Sequence, residues 1–195
     1  MKKKNAIGAL VMAALILISV PLGAVRSFER LREDALKVYS SDSTGYDLST
    51  GVKKQEEAAW NLLTVAERYQ DGNPELGSYI DDLTNHANLA QVFSDPGSPA
   101  TVRCHQTMCQ SAARLAEKLE TLTLDEKDEK YPRQLLSQLQ SEQDKLERSS
   151  YNDGARAYNR KLERYFLPLV NLDWSEPLGI FGEYDVSEVI EQSAE

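Results

Sequence analysis

The sequence predicts an all-α fold: an antiparallel bundle of about four helices preceded by one N-terminal transmembrane helix. Three observations carry this reading. Ala, Leu, Glu, Gln, Arg and Lys dominate the body of the chain while Val, Ile and Thr are sparse there, a balance that favours helix over sheet. Apolar residues return every three or four positions through four long segments, with Gly and Pro between them. An uncharged apolar run, residues 6–25, stands ahead of all this. The length of 195 residues suits one compact domain beside an anchor.

Lys2, Lys3 and Lys4 lead into the apolar run. Twenty helical residues span about 30 Å, the hydrocarbon thickness of a bilayer. The run reads as an uncleaved signal anchor or as a signal peptide. In the second reading Pro21 breaks the helix and cleavage follows Leu22-Gly23-Ala24. Arg26, Arg30, Arg32 and Lys37 follow closely, so basic residues flank the run on both sides. The short lysine-bearing N-terminus points to N-in, with the domain on the extracytoplasmic side of a bacterial inner membrane. Ala9 and Ala13 form a small-xxx-small pair, a weak sign of self-association.

Phe28, Leu31, Ala35 and Val38 predict a short amphipathic helix over 28–39. The Ser-, Thr- and Gly-rich stretch 40–51 reads as a linker. The chain thus divides into an anchor (1–25), a juxtamembrane helix and linker (26–51), a bundle (52–170) and an acidic tail (171–195). Val52, Ala59, Leu62, Leu63, Ala66 and Tyr69 predict the first bundle helix over 52–70, ended by Asp71-Gly72-Asn73-Pro74. Asn73 as N-cap and Pro74 at the first helical position begin a second helix over 74–93, whose stripe is Leu76, Ile80, Leu83, Ala87 and Ala90. Asp95-Pro96-Gly97-Ser98 makes a turn. The third helix, 99–122, buries Cys104, Met108, Ala112, Leu115, Leu119 and Leu122. A charged stretch, 125–130, precedes a last helix over 132–169, roughly 55 Å long if straight. Short links leave these stripes only one another to bury against.

The formal net charge is -9, and the tail supplies most of it. No Lys or Arg follows Arg164, while Asp173, Glu176, Glu183, Asp185, Glu188, Glu191 and Glu195 do. No basic face able to hold phosphates emerges, which argues against nucleic-acid binding.

The last helix carries Tyr151-Asn152-Asp153 and, seven residues on, Tyr158-Asn159-Arg160. Seven residues are two turns, so both tyrosines share one stripe and both asparagines the next. A buried amide must be hydrogen-bonded and disfavours registers that leave it unpaired, so Tyr151, Asn152, Tyr158 and Asn159 read as a register-fixing helix seam. These motifs, with Tyr131-Pro132, the Leu- and Gln-rich run 135–146, Arg156 and Pro168, resemble the LemA family. Glu57-Ala58-Ala59-Trp60-Asn61 is similar to that family's Glu-Ala-Trp helix, and Phe181-Gly182-Glu183-Tyr184 to its closing Gly/Phe-rich tail. The resemblance is specific over about 131–168 and implies a membrane-anchored helical bundle without an established catalytic activity. It also favours the uncleaved anchor.

Other constellations favour plainer readings. Cys104, His105 and Cys109 offer soft-metal donors, but on a continuous helix the two cysteines point about 140° apart. Two unpaired thiols, a disulfide formed by a later helix start, and a metal site rank in that order. His86 and His105 have no nucleophile and acid at a motif spacing, so surface or satisfied-core roles fit both. Glu56-Glu57 and Asp81-Asp82 read as solvated faces, and no phosphate loop or kinase signature occurs. No cofactor is expected.

In the tail Trp174, Leu178, Ile180, Phe181, Tyr184, Val186, Val189 and Ile190 alternate with carboxylates. Its aromatic part folds back to cap the bundle, or Trp174, Phe181 and Tyr184 anchor a partner. The expected function is a non-enzymatic membrane-anchored scaffold or adaptor of the bacterial cell envelope, held through residues 6–25 and acting by self-association or on another membrane protein. The alternative is a secreted or periplasmic helical binding module released near Ala24.

Overall fold

A computed structural model describes residues 2–40, 47–164 and 176–183, with the side chains of 2–11, 13–18 and 20–22 outside the description. Among the described residues the regular structure is all helical: α1 (Lys2–Ser40), α2 (Leu48–Tyr69), α3 (Leu76–Val92), α4 (Pro99–Glu120), α5 (Tyr131–Glu147) and α6 (Ser150–Arg164). Residues 176–183 form a non-helical strap across α6.

Four boundaries depart from the expectation. The anchor and the juxtamembrane segment are one helix of 39 residues, which passes position 21 without interruption. The linker ends early, because Asp47 caps α2. Its Oδ1 accepts from Ser49 N at 2.9 Å and its Oδ2 from Thr50 Oγ1 at 3.1 Å, so residues 48–51 are already helical. These bonds hold the Asp47 carboxyl below its usual range. Asn73 and Pro74 do not begin α3. The Asn73 amide instead donates to Tyr69 O at 2.9 Å, closing α2, and α3 starts at Leu76. The long last helix divides at Arg148 and Ser149 into α5 and α6. There Ser149 Oγ donates back to Leu146 O at 2.8 Å, and the Asn152 amide takes Glu147 O at 2.9 Å. Both satisfy carbonyls that an ending helix leaves open.

Among the described residues no helix is long and apolar enough to cross a membrane. Most side chains of 6–25 lie outside those residues.

Two cores result. The first lies among α2, α3, α4 and α5, whose short links make successive helices antiparallel neighbours. It is aliphatic: Leu62, Leu76, Leu83, Met108, Leu115 and Leu119 are fully buried, and alanines such as Ala59, Ala66, Ala87 and Ala112 let the backbones approach. The Glu142 carboxylate, buried on α5, meets Lys145 at 2.8 Å and Lys54 of α2 at 3.8 Å. The second core joins the C-terminal half of α1 to α6, the start of α2 and the strap. It is aromatic, built on Phe28, Tyr39, Tyr151, Tyr158 and Phe181. Phe28 meets Tyr158 edge-on with ring centres 6.3 Å apart, and Tyr39 meets Tyr151 at 5.4 Å.

Candidate functional site

The two Tyr-Asn pairs converge on the strap. Asn159 Nδ2 donates to Leu178 O and its Oδ1 accepts from Leu178 N, both at 2.8 Å. Two turns earlier Asn152 repeats this on Phe181: Nδ2 donates to the carbonyl and Oδ1 accepts from the N–H, both at 3.1 Å. Each amide thus closes a two-bond ring with one peptide residue, as a neighbouring strand would. Tyr151 OH donates to Gly179 O at 2.8 Å and Tyr158 OH to Glu176 O at 3.3 Å.

The spacing has a physical cause. Seven helical residues advance about 10.5 Å. Three residues of extended chain advance about 10 Å. Asparagines seven apart on α6 therefore register with residues three apart on an extended strap running the opposite way. The seam read from the sequence is corrected to this extent: the tyrosine stripe does face a helix, α1, but the asparagine stripe grips a non-helical segment of the same chain. Heptad spacing alone does not distinguish a helical partner from an extended one.

Side chains complete the site. Leu178, Ile180 and Phe181 are buried, Phe181 at 2% exposure. Phe181 packs against Tyr151 and Tyr39 with centroids 6.2 and 6.4 Å away, so it does not project as a partner contact. Trp174 and Tyr184 lie outside the described residues. Gly179 N donates to Gly97 O at 2.8 Å, which ties the strap to the α3–α4 turn. A Cβ on Gly179 would sit 2.7 Å from Val102 Cγ2 and 2.9 Å from Ser98 O. Gly97 has φ +76, and a Cβ there would come within 2.9 Å of Tyr151 OH. At the far end Arg156 Nε meets Glu183 Oε1 at 2.7 Å on the surface. Burial raises the Tyr39 hydroxyl to about 12, with the Glu56 and Asp47 charges adding to it. It raises Tyr158 as well. Both phenols are therefore neutral at ordinary pH, and Tyr158 is a donor to Glu176 O.

Of the two histidines, His86 has hydrogen-bond partners as a surface or satisfied-core role requires, whereas His105 is buried with one ring nitrogen unpaired. His105 is 3% exposed, its Nε2 is 3.4 Å from Glu56 Oε1, and its Nδ1 has no partner. Burial lowers its pKa to about 4. It takes the core position on α4 expected for Cys104, which is only partly buried; both cysteines are unpaired. Burial lifts the Cys109 thiol to about 12, far from a reactive thiolate.

His86 belongs to a Ser-His-Asp cluster that sequence spacing did not reveal. Ser111 Oγ lies 2.8 Å from His86 Nδ1 and donates to Asp82 Oδ2 at 2.8 Å, while Arg114 Nη2 reaches Asp82 Oδ2 at 3.0 Å. The polarity is wrong for nucleophilic catalysis. Ser111 Oγ has the acceptor-only Asp82 carboxylate at the same 2.8 Å as His86 Nδ1, so its proton is shared with or drawn to Asp82 and is not dedicated to the imidazole as a nucleophilic serine's is. Ser111 is also 1% exposed, beyond reach of a substrate. Among the described residues no group of three or more His, Cys, Asp or Glu side chains is arranged to hold a metal ion.

No protein-family model, no curated protein and no solved structure matches this chain.

Proposed function

We propose that the chain is a non-enzymatic, membrane-anchored scaffold or adaptor of the bacterial cell envelope, related to the LemA family and acting through protein contacts of its helical bundle. The observation that carries this is the continuity of α1. Its first half is the uncharged run 6–25, and its second half supplies Phe28, Ala35 and Tyr39 to the aromatic core. With the run in the bilayer, the first core contact, Phe28, stands three residues, about 4.5 Å, beyond its end. The bundle is then held against the membrane surface on a stiff helical stem. Lys2, Lys3 and Lys4 orient it outward.

A second feature supports contact with protein. Leu89 and Val92 in the last turn of α3, and Phe93 at its C-cap, are exposed at 45%, 74% and 42%. Contiguous exposed apolar side chains of this kind mark interaction surfaces. Enzymatic roles find no support in the Ser111 cluster.

The test is to extract the full chain from native membranes in mild detergent and measure the mass and composition of the particle. A full-length chain, in a particle several times its own mass or with a fixed partner, is the expected result. A soluble chain whose N-terminus begins after Ala24 would replace the scaffold with the released binding module.

A further inference from the structure

We propose that α1 and α6 together form a cationic collar at the bilayer surface whose partner is the headgroup of anionic phospholipids. This rests on the reading of residues 6–25 as a membrane anchor, and it names the lipid that the helical stem meets.

The aromatic core brings α6 down beside the anchor. The two helices run antiparallel: Tyr39 meets Tyr151, Ala35 lies against Gly154, and Phe28 meets Tyr158. A Cβ on Gly154 would stand 3.2 Å from that of Ala35, so the backbones are close. Each helix rises about 1.5 Å per residue, and the pairing therefore continues in step below Phe28. Arg164, about 9 Å beyond Tyr158, comes level with the last turn of the apolar run, and Arg160 and Lys161 come level with its end. These three cations are distant from the run along the chain, and only the fold carries them to the membrane surface.

With Arg26, Arg30 and Arg32 of α1 they surround the stem. Arg26 and Arg30 share the side of α1 turned away from Phe28, and Arg160 and Arg164 share the side of α6 turned away from Tyr158; all four are exposed, as is Lys161. Arg32 is half-buried, and its Nε meets no acceptor among the described residues. The carboxylates at this level are Glu29, Glu163 and, on the strap, Glu176, so cations outnumber them in a chain whose formal net charge is -9. None of the six cations forms an ion pair among the described residues. A cation so placed gains roughly fivefold in association with an anionic leaflet. Arginine adds a planar fork that matches a phosphate, and its stem lies along the apolar boundary. Cations on opposite sides of the stem also oppose its tilt, because leaning withdraws one pair from the headgroups.

The test reconstitutes the full chain into phosphatidylcholine vesicles that hold a minor share of phosphatidylglycerol, and spin-labelled lipids of each class report which headgroup the protein retains. Phosphatidylglycerol should be preferred, and the preference should fall as salt is raised. Arg160→Gln, Lys161→Gln and Arg164→Gln together should cut it by at least about tenfold. The same loss of charge at the other end of α5, by Lys127→Gln, Lys130→Gln and Arg133→Gln, should leave it unchanged. Arg160→Lys with Arg164→Lys should keep most of it, and circular dichroism checks the helical content of each variant. An inserted chain with no preference, or with the same preference in the α6 triple variant, overturns the collar and leaves the anchor standing. A chain that fails to float with pure phosphatidylcholine vesicles overturns the anchor instead. Salt-sensitive binding to phosphatidylglycerol vesicles that the α6 triple variant loses would then still uphold the collar.

Discussion

The aliphatic core of α2 to α5 and the aromatic core beneath the strap are assembled by different means. The first is made of stripes on four successive helices, and its attraction is non-directional: any close-packed arrangement of Leu, Ala, Ile and Met of the right volume serves. The second collects pieces from near residues 28, 48, 102, 151 and 178, and it depends on directed bonds from Asn152, Asn159 and Tyr151. Tolerance follows the difference. Conservative swaps should be absorbed in the aliphatic core, whereas an isosteric change at Asn152 removes a donor or acceptor that nothing else replaces.

The largest effect expected is in the aliphatic core, and it tests whether the two regions unfold as one. Leu115→Ala empties a fully buried site and should cost about 2–5 kcal/mol. Denaturant unfolding followed by far-ultraviolet and tyrosine signals checks it: coincident transitions make the two cores one cooperative unit, and separated ones divide them.

Asn152→Ala comes next and probes the directional core. It strands Phe181 N–H and C=O, together with the carbonyls of Leu146 and Glu147 that end α5. Leaving such groups unpaired should cost about 2–4 kcal/mol. Asn159→Ala, at a half-exposed position where water can substitute, should cost about 1 kcal/mol. Equal effects of the two would refute the claim that burial sets the strength of the clamp. Hydrogen exchange should show the Asn152 variant losing protection in the strap and α6 before α3.

A pH scan sharpens the boundary between the cores, where Glu56 stands between His105 and Tyr39. The folded-state value of His105 is about 4 against 6.5 unfolded, because burial disfavours the charged ring. Below pH 6.5 the unfolded chain therefore binds a proton that the folded chain refuses. The stability this group contributes is complete above pH 6.5 and is lost as pH falls toward about 4. Glu56 is shifted upward by burial, so its contribution has the opposite sign and fades as pH rises above 4.5. Tm should fall between pH 6.5 and 4, and His105→Gln should flatten that limb. An unchanged slope in the variant would remove His105 from the account.

The smallest effect belongs to the surface end of the strap. Arg156 and Glu183 are both largely solvated, so Glu183→Gln should cost under about 1 kcal/mol and nothing at high salt. A larger loss would mean that the strap is held by charge more than by its amides.

Most of the aliphatic bundle was legible because helix periodicity is local. Leu76, Ile80, Leu83, Ala87 and Ala90 were placed on the buried face of the second bundle helix by spacing alone, and all five are buried. The break at Arg148 was not legible, since no Gly or Pro marks it; it comes from Ser149 and Asn152 capping α5 in competition with continued helix. Tyr151, Asn152, Tyr158 and Asn159 stood out in the sequence as one patterned face, and the fold-back of the tail's aromatic part was among the expectations. That the face grips the strap was hidden, because the two segments lie 19 to 29 residues apart. The cluster of Asp82, His86, Ser111 and Arg114 was invisible for the same reason, being shared between two helices.

The sequence by itself determined the helices and their buried faces, because propensity and a 3.6-residue period act between neighbours in the chain. It also determined that Asn152 and Asn159 point the same way, two turns apart. Tertiary structure decided what they hold. An amide presents the same donor and acceptor to a helix, a loop or an extended strand, and only the packing of α1, α5 and the α3–α4 turn around α6 leaves a slot in which an extended segment satisfies both.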